Sequence, residues 1–231
     1  MSIFAIGDLH LSGASEKPMD IFGEHWDSHW DRIKENWESA VSADDLVLIP
    51  GDISWAMKLS EAAADLKAVC SLPGTKIIMK GNHDYWWSSL KQVEALLFNG
   101  TFALQNNAFV YDRYVVAGTR GWLCPGMSQY NPAADEKYYL REAGRLELSL
   151  QAARRLSPGG ELICMTHYPP SDKNGAPTLF TALLEKYGAS RAVYGHLHAS
   201  SIAGALSGIV RGVDYSLVSC DAIAFSPKKI A

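Results

Sequence analysis

Histidine, aspartate and asparagine side chains gather in five short clusters along the sequence, each directly after an apolar run. In chain order the clusters read Gly-Asp-Leu-His, Gly-Asp, Gly-Asn-His-Asp, Thr-His and Gly-His-Leu-His, and their polar residues are Asp8, His10, Asp52, Asn82, His83, Asp84, His167, His196 and His198. Carboxylate and amide oxygens together with imidazole nitrogens form a ligand set suited to Mn, Fe or Zn. Clusters of this kind predict a metal centre, provided that they meet in space.

The apolar runs before the clusters predict where they meet. These runs have the length and composition of short buried strands, and they span residues 2–7, 45–49, 76–79, 162–166 and 191–194. In an open α/β sheet, ligands bind at the carboxyl ends of the strands. We therefore expect five segments that are distant in sequence to converge on one place.

Local geometry is also expected to favour convergence. Alternate side chains of an extended segment point the same way, so Asp8 and His10 should face one ligand, as should His196 and His198. Glycines at positions 7, 51, 81 and 195 allow the backbone to turn sharply off each strand. A lone Asp-x-His or a single histidine is more often a satisfied buried group than a ligand, but five such clusters at five strand ends favour a metal site.

The remaining pattern predicts the elements that position the clusters. Helices are expected over residues 28–41, 60–71, 88–97, 133–156 and 178–187, with hairpins at 109–118 and 209–219. Ser60 is the expected cap of the second helix, and Gly144 is a point where the fourth helix is expected to break. Strands that alternate with helices and end in hairpins predict an α/β fold with mixed sheets, in a single domain over residues 1–231.

Composition restricts the function classes. The chain has 231 residues, 48% of them hydrophobic, and a formal net charge of −4, which argues against a binder of long nucleic acid because such proteins carry a basic excess. The four cysteines form no Cys-x-x-Cys pair, which fits buried residues in a reducing cytosol. We expect a cytoplasmic protein, because the N-terminal residues lack the features of a signal peptide and no apolar run reaches membrane-spanning length.

The five clusters, in this order, resemble the calcineurin-like metallophosphoesterase family, whose pattern is D-x-H, G-D, G-N-H-D/E, H and G-H-x-H. The resemblance extends from Asp8 to His198, and it implies a four-layer α/β/β/α sandwich with mixed sheets and the metal site at the carboxyl ends of the strands. It further implies two divalent ions bridged by Asp52. One ion would be held by Asp8, His10, Asp52 and His198, and the other by Asp52, Asn82, His167 and His196.

The resemblance also implies the reaction, which is hydrolysis of a phosphate ester by a hydroxide that bridges the metals. His83 matches a residue that is not a ligand but acts as an acid, and Asp84 matches the carboxylate that orients it. An imidazolium paired with a carboxylate stays protonated near neutral pH and can donate a proton to the leaving alkoxide. Because the metal pair supplies the nucleophile, no protein nucleophile is expected.

Three departures from the family's best-known branches narrow the substrate. The protein Ser/Thr phosphatases carry Asp-Arg-Gly shortly after their Gly-Asp and read Gly-Asn-His-Glu; this chain lacks the first and reads Gly-Asn-His-Asp. Purple acid phosphatases place a tyrosine ligand where Trp55 stands. The sequence therefore predicts a small-molecule or nucleotide phosphodiester as substrate, with a phosphomonoester as the alternative.

Aromatic and basic residues surround the clusters. Trp55, Trp86, Trp87 and Trp122 either form an aromatic rim for the substrate or pack in the core, and Arg120, Arg141 and Arg145 are candidates to anchor the substrate's remote part. His25 and His29 either touch the substrate or lie on an exposed helical face. The segment 122–157 is either a cap over the site or an ordinary surface helix.

Two other function classes compete with a small-molecule hydrolase. A non-catalytic metal-binding scaffold would be expected to lack ligands or His83, and here all of them are present. A nuclease acting on long DNA would be expected to show a basic face, which the negative net charge disfavours. We therefore expect a small phosphate ester, rather than nucleic acid or a membrane, as the binding partner.

Overall fold

The chain divides into two units, one formed by Met1–Ala103 with Val218–Ala231 and the other by Leu104–Leu217. The computed structural model describes residues 1–13 and 17–231. Within these ranges, no helix has both the length and the apolar character that crossing a bilayer requires.

The first unit is built on a five-stranded sheet in which the first three strands of the chain lie side by side. The strand order is β11 (Lys228–Lys229), β1 (Ile3–Ala5), β2 (Leu46–Ile49), β3 (Thr75–Met79) and β4 (Thr101–Leu104). β1, β2 and β3 are parallel, and β11 pairs antiparallel with β1. The loops that follow β1, β2 and β3 therefore leave from the same edge of the sheet.

In the described part of the first unit there are three α-helices: α1 (His29–Ala40), α2 (Leu59–Ser71) and α3 (Leu90–Glu94). α1 buries Ile33 and Trp37, which are four residues apart and so lie on one helical face. Trp86 and Trp87 are also buried in this core, with 2% and 5% of their surfaces exposed. The packing interpretation is therefore the right one for these two tryptophans, and they are removed from the predicted substrate rim.

The second unit is built on a six-stranded mixed sheet. Its strand order is β5 (Ala108–Tyr111), β6 (Tyr114–Thr119), β7 (Glu161–Thr166), β8 (Ala189–Tyr194), β10 (Val213–Leu217) and β9 (Gly208–Val210). The four central strands run parallel, while β5 and β9 close antiparallel hairpins at the two edges. The loops after β6, β7 and β8 consequently leave from one edge.

Two helices belong to the second unit, α4 (Pro132–Leu156) and α5 (Leu179–Lys186). α4 begins with proline at its first position, and the Asn131 side chain caps it by accepting a hydrogen bond from the Ala133 N–H. Its apolar face contributes Leu146 and Leu150 to the core of this unit. α4 thus packs against the core of this unit through one face, and a cap formed by residues 122–157 stays a prediction.

The α/β class with mixed sheets is confirmed, and several local expectations are corrected. α4 runs unbroken through Gly144. α2 begins at Leu59 rather than after a Ser60 cap, and the Glu61 carboxylate accepts a hydrogen bond from the Lys58 N–H at 3.2 Å. The two short strands β4 and β11 were not expected from the sequence pattern.

Candidate metal centre

The loop after β1 carries Asp8 and His10 on a left-handed backbone. Their φ angles are 58° and 46°, so the segment is not extended, and the expectation that strand alternation aligns the two side chains is wrong. The loop instead runs beside the one that follows β2, because the Asp8 N–H donates to the Gly51 carbonyl at 2.9 Å and the His10 N–H to the Asp52 carbonyl at 3.0 Å. Backbone pairing thus fixes where Asp8 and His10 lie.

Two side chains outside the clusters also hold this loop. Nε2 of His29 lies 3.0 Å from the Leu9 carbonyl oxygen, and the Cys220 thiol donates to the Asp8 carbonyl at 3.0 Å. Burial lowers the pKa of His29, and its hydrogen bond to Leu9 opposes that shift. His29 is therefore a partly buried support of the loop and not a member of an exposed face, whereas His25 is exposed. Only the spacing of His29 behind the first cluster hinted at this role.

Asp52 brings the second carboxylate next to the first loop. Asp8 offers a ligand atom within 4.8 Å of one on His10, and it also offers one within 4.8 Å of one on Asp52. Nε2 of His10 and Oδ2 of Asp52 are 3.9 Å apart. Asp52 is itself left-handed, with φ 52°, and follows Gly51 at φ 94°. Two carboxylates and one imidazole of the first unit therefore gather at the spacing that a metal ion requires.

The loop after β3 approaches Asp52 so closely that a side chain on Gly81 would not fit. A Cβ atom at this position would lie 2.0 Å from Oδ1 of Asp52. The close approach allows the His83 backbone N–H to donate to Oδ1 of Asp52 at 2.8 Å. Asn82 and His83 are partly buried on this loop, and so Asn82 stands next to the residue that anchors Asp52.

Asp84 fastens the second and third loops to each other. Its fully buried carboxylate accepts five hydrogen bonds: Oδ1 from the N–H groups of Ile53 and Ser54 and from the Trp86 indole, and Oδ2 from the N–H groups of Asp52 and Gly81. Burial raises the pKa of Asp84, while the Gly81, Ser54 and Ile53 N–H groups oppose the shift. The contacts shown give Asp84 a role in shaping the loops, and its predicted orientation of His83 stays a prediction.

Aromatic rings surround His83 within the first unit. Trp55 stacks on His10 with ring centres 4.7 Å apart and lies 4.6 Å from the ring of His83. Tyr85 is 57% exposed, and its ring centre is 6.3 Å from that of His83. Sequence reasoning singled out Trp55 but overlooked Tyr85, whose position directly after Gly-Asn-His-Asp was the available signal.

The second unit carries the other three predicted ligands. His167 follows β7 and is fully buried; its N–H donates to the Arg120 carbonyl at 3.0 Å and its carbonyl accepts from the Gly195 N–H at 3.1 Å. The rings of His167 and His196 are 5.1 Å apart. His196 is left-handed, with φ 74°, whereas His198 is extended, with φ −128°. Two imidazoles are thus brought together at the edge of the second sheet, with His198 two residues along.

The donor set fits a divalent transition metal. Each unit presents its predicted ligands on loops that follow parallel strands, which is where α/β sheets bind ligands. Carboxylate oxygens and imidazole nitrogens match the preferences of Mn, Fe and Zn. Four of the seven predicted ligands are left-handed residues other than glycine, a costly conformation that is concentrated at functional sites.

The chain belongs to the calcineurin-like phosphoesterase family, whose model matches residues 1–200. Membership and the gathered candidate ligands support metal-dependent hydrolysis of a phosphate ester.

Solved structures of low sequence identity share the fold. The protein of unknown function AQ665 from Aquifex aeolicus is 14% identical with a TM-score of 0.52, and the match covers 99% of this chain and 95% of that one. TT1561 of Thermus thermophilus is 13% identical with a TM-score of 0.52, over 99% and 97% of the two chains. No curated protein matches the sequence.

Proposed function

We propose that the protein hydrolyses a small-molecule or nucleotide phosphodiester at a dinuclear metal centre. Following the family pattern, one ion is assigned Asp8, His10, Asp52 and His198, and the other Asp52, Asn82, His167 and His196. The observation that carries the proposal is the gathering of candidate ligand atoms, since Asp8 offers a ligand atom within 4.8 Å of one on His10 and of one on Asp52.

The chain's own groups would position the ester and manage its proton. A bound metal pair supplies an activated water and neutralises charge on the phosphoryl oxygens. His83 lies on the same loop as Asn82, and its imidazole is assigned to donate a proton to the leaving oxygen. The ring of Trp55 lies 4.6 Å from that of His83 and so flanks the imidazole on one side. Asp84 contributes by holding the loops of Asp52 and His83 in register.

Charge favours a diester over a monoester. A monoester is a dianion near neutral pH and presents three non-bridging oxygens, so it needs a cation beyond two metals. The protein phosphatases supply that cation from an Asp-Arg-Gly segment that this chain lacks. A diester carries one negative charge and two such oxygens, for which the metals and His83 suffice. Its second arm requires an apolar surface, which the partly buried Trp55 offers.

A comparison of two chromogenic substrates tests the proposal. The Mn(II)-loaded protein is expected to cleave bis-nitrophenyl phosphate with a higher kcat/KM than mono-nitrophenyl phosphate, since the diester matches the charge of the site. A preference for the monoester that Arg120→Ala abolishes would show that Arg120 replaces the missing arginine, and the diesterase assignment would be dropped.

The four free, buried cysteines fit the reducing cytoplasm, which we propose as the location.

A further inference from the structure

Three arginines converge on one buried glutamate in the second unit. The Glu142 side chain is 1% exposed, and its Oε1 lies 2.7 Å from Nη1 of Arg145, 3.4 Å from Nη2 of Arg141 and 3.7 Å from Nη2 of Arg120. Its other oxygen accepts a hydrogen bond from the Thr119 hydroxyl at 2.8 Å. We call Arg120, Arg141, Arg145 and Glu142 the arginine cluster.

The arginine cluster holds more positive charge than its glutamate can neutralise. One carboxylate balances one of the three guanidinium groups, so two positive charges are left over in a chain whose net charge is −4. Arg141 and Arg145 keep 45% and 44% of their side-chain surfaces exposed. Among the described residues, none accepts a hydrogen bond from the buried Nε of Arg120. The cluster therefore retains positive charge, and the exposed guanidinium groups of Arg141 and Arg145 are open to an anion.

Aromatic rings link this cluster to the predicted metal ligands of the same unit. Starting from His196, the ring of Tyr168 lies 4.2 Å away, and Trp122 lies 5.4 Å beyond Tyr168. Tyr138 follows at 4.8 Å from Trp122. The guanidinium of Arg120 sits 4.8 Å over Trp122, and that of Arg141 sits 4.9 Å from Tyr138. We call Tyr168, Trp122 and Tyr138 the aromatic strip.

A hydrogen bond to a carboxylate at the start of α4 holds Trp122, the middle ring of the aromatic strip, in place. The Trp122 indole N–H donates to the Asp135 carboxylate at 3.0 Å, and Asp135 also accepts from the Asn131 N–H at the start of α4. Tyr168 is 8% exposed and serves as packing for the strip, whereas Trp122 and Tyr138 are only partly buried and retain some exposed surface. A fixed, partly exposed ring beside guanidinium groups is suited to stacking a nucleobase.

We propose that the arginine cluster is a subsite for a second phosphate of the substrate, and that the aromatic strip carries the nucleoside between this phosphate and the reacting one. The proposal rests on the proposed function and specifies its substrate class as a short nucleotidic diester with a terminal phosphate. Guanidinium forks match phosphate oxygens in pairs, which favours phosphate over an uncharged group. Glu142 positions the arginines without cancelling them.

A matched pair of dinucleotides tests the subsite on the Mn(II)-loaded full chain. Thymidylyl-thymidine with a 5′-terminal phosphate is expected to show a kcat/KM about tenfold or more above that of the same dinucleotide without it, as charge-assisted hydrogen bonds would give. The double variant Arg141→Ala, Arg145→Ala is expected to lose this advantage, so that its kcat/KM values for the two dinucleotides become equal. Arg155→Ala, an exposed arginine on the same helix, is the control and is expected to retain the advantage.

Binding to the metal-free protein separates this inference from the proposed function. Thymidine 3′,5′-bisphosphate should quench tryptophan fluorescence with a Kd at least tenfold lower than that of thymidine, and the double variant should remove the difference. Equal kcat/KM for the two dinucleotides, an advantage that persists in the double variant, or equal Kd values would overturn the subsite. Cleavage of bis-nitrophenyl phosphate but of neither dinucleotide would also overturn it, whereas failure to cleave any ester while the Kd difference holds would overturn the proposed function alone.

Discussion

At the scale of single residues, hydrogen bonds between distant loops fix the left-handed backbone of two candidate ligands. Asp8 and His10 were expected to align through strand alternation, yet both are left-handed. Their placement depends on hydrogen bonds to the loop of Asp52, 42 or more residues along the chain. The alternation of side chains along a single segment carries no information about this distant loop. The chemistry of the site is therefore visible locally, while its geometry is set by pairing between distant loops.

His83→Asn tests the assigned proton donor. We expect the variant to keep its metal content and to lose roughly 10²–10⁴-fold in turnover of esters with poor leaving groups, the usual contribution of a positioned general acid. The loss should shrink for nitrophenyl esters, because their leaving groups need no proton. Rates on a series of esters with increasing leaving-group pKa provide the measurement.

Two results would contradict this role for His83. A loss of equal size for good and poor leaving groups would show that the imidazole does not donate the proton. A fall in metal content would instead make His83 a ligand.

Asp84→Asn tests the anchoring of the second and third loops. The amide has one acceptor oxygen in place of two, so N–H groups of Asp52, Gly81 or Ile53 lose their partner in a fully buried place. We expect the free energy of unfolding in urea to fall by at least about 1–3 kcal/mol. Asp112→Asn, in the exposed turn of the first hairpin, is the control and should change little, because asparagine also accepts its φ of 53°. Equal stability of the two variants would mean that Asp84 is no anchor.

At the scale of elements, long periodic segments were predictable and short or irregular ones were not. α4 was expected to break at Gly144, but the helix continues because Gly144 is exposed while Leu146 and Leu150 pack against the sheet. One glycine costs about 1 kcal/mol in a helix, which such packing exceeds. β11 has only two residues, both lysines, and it exists through its pairing with β1. No local pattern signals a strand of that kind.

Glu142→Ala tests the energetic role of the arginine cluster within α4. Burial lowers the pKa of the Arg120 guanidinium, and the charge of Glu142 opposes that shift. Removing the carboxylate therefore leaves the largely buried Arg120 without its counterion. We expect a loss of about 3–5 kcal/mol in the free energy of unfolding, as when one partner of a buried ion pair is removed. Glu147→Ala on the same helix breaks a solvent-screened pair with Lys186 and is expected to cost far less. Similar losses for both variants would contradict a buried role for Glu142.

At the scale of the whole molecule, the sequence predicted the α/β class and the position of the clusters after strands, but not how the strands divide between sheets. β1, β2 and β3 share one sheet, and β6, β7 and β8 share the other. The order of strands within a sheet depends on contacts between residues far apart along the chain. An apolar run in the sequence does not indicate which strand will be its neighbour. The described chain forms two units. The prediction of one domain over residues 1–231 stays a prediction.

Metal content of purified variants tests the central claim, a dinuclear centre bridged by Asp52, most directly. Asp52 lies beside Asp8 and His10, and its carboxylate is fixed by the His83 N–H. If it serves both ions, Asp52→Ala should lower the metal bound per chain toward zero, and Asp8→Ala should spare part of the second ion. Elemental analysis of both variants and the unaltered protein, after equal loading with Mn(II), gives the comparison. Two full equivalents of metal in Asp52→Ala would contradict the bridging assignment and the proposed mechanism with it.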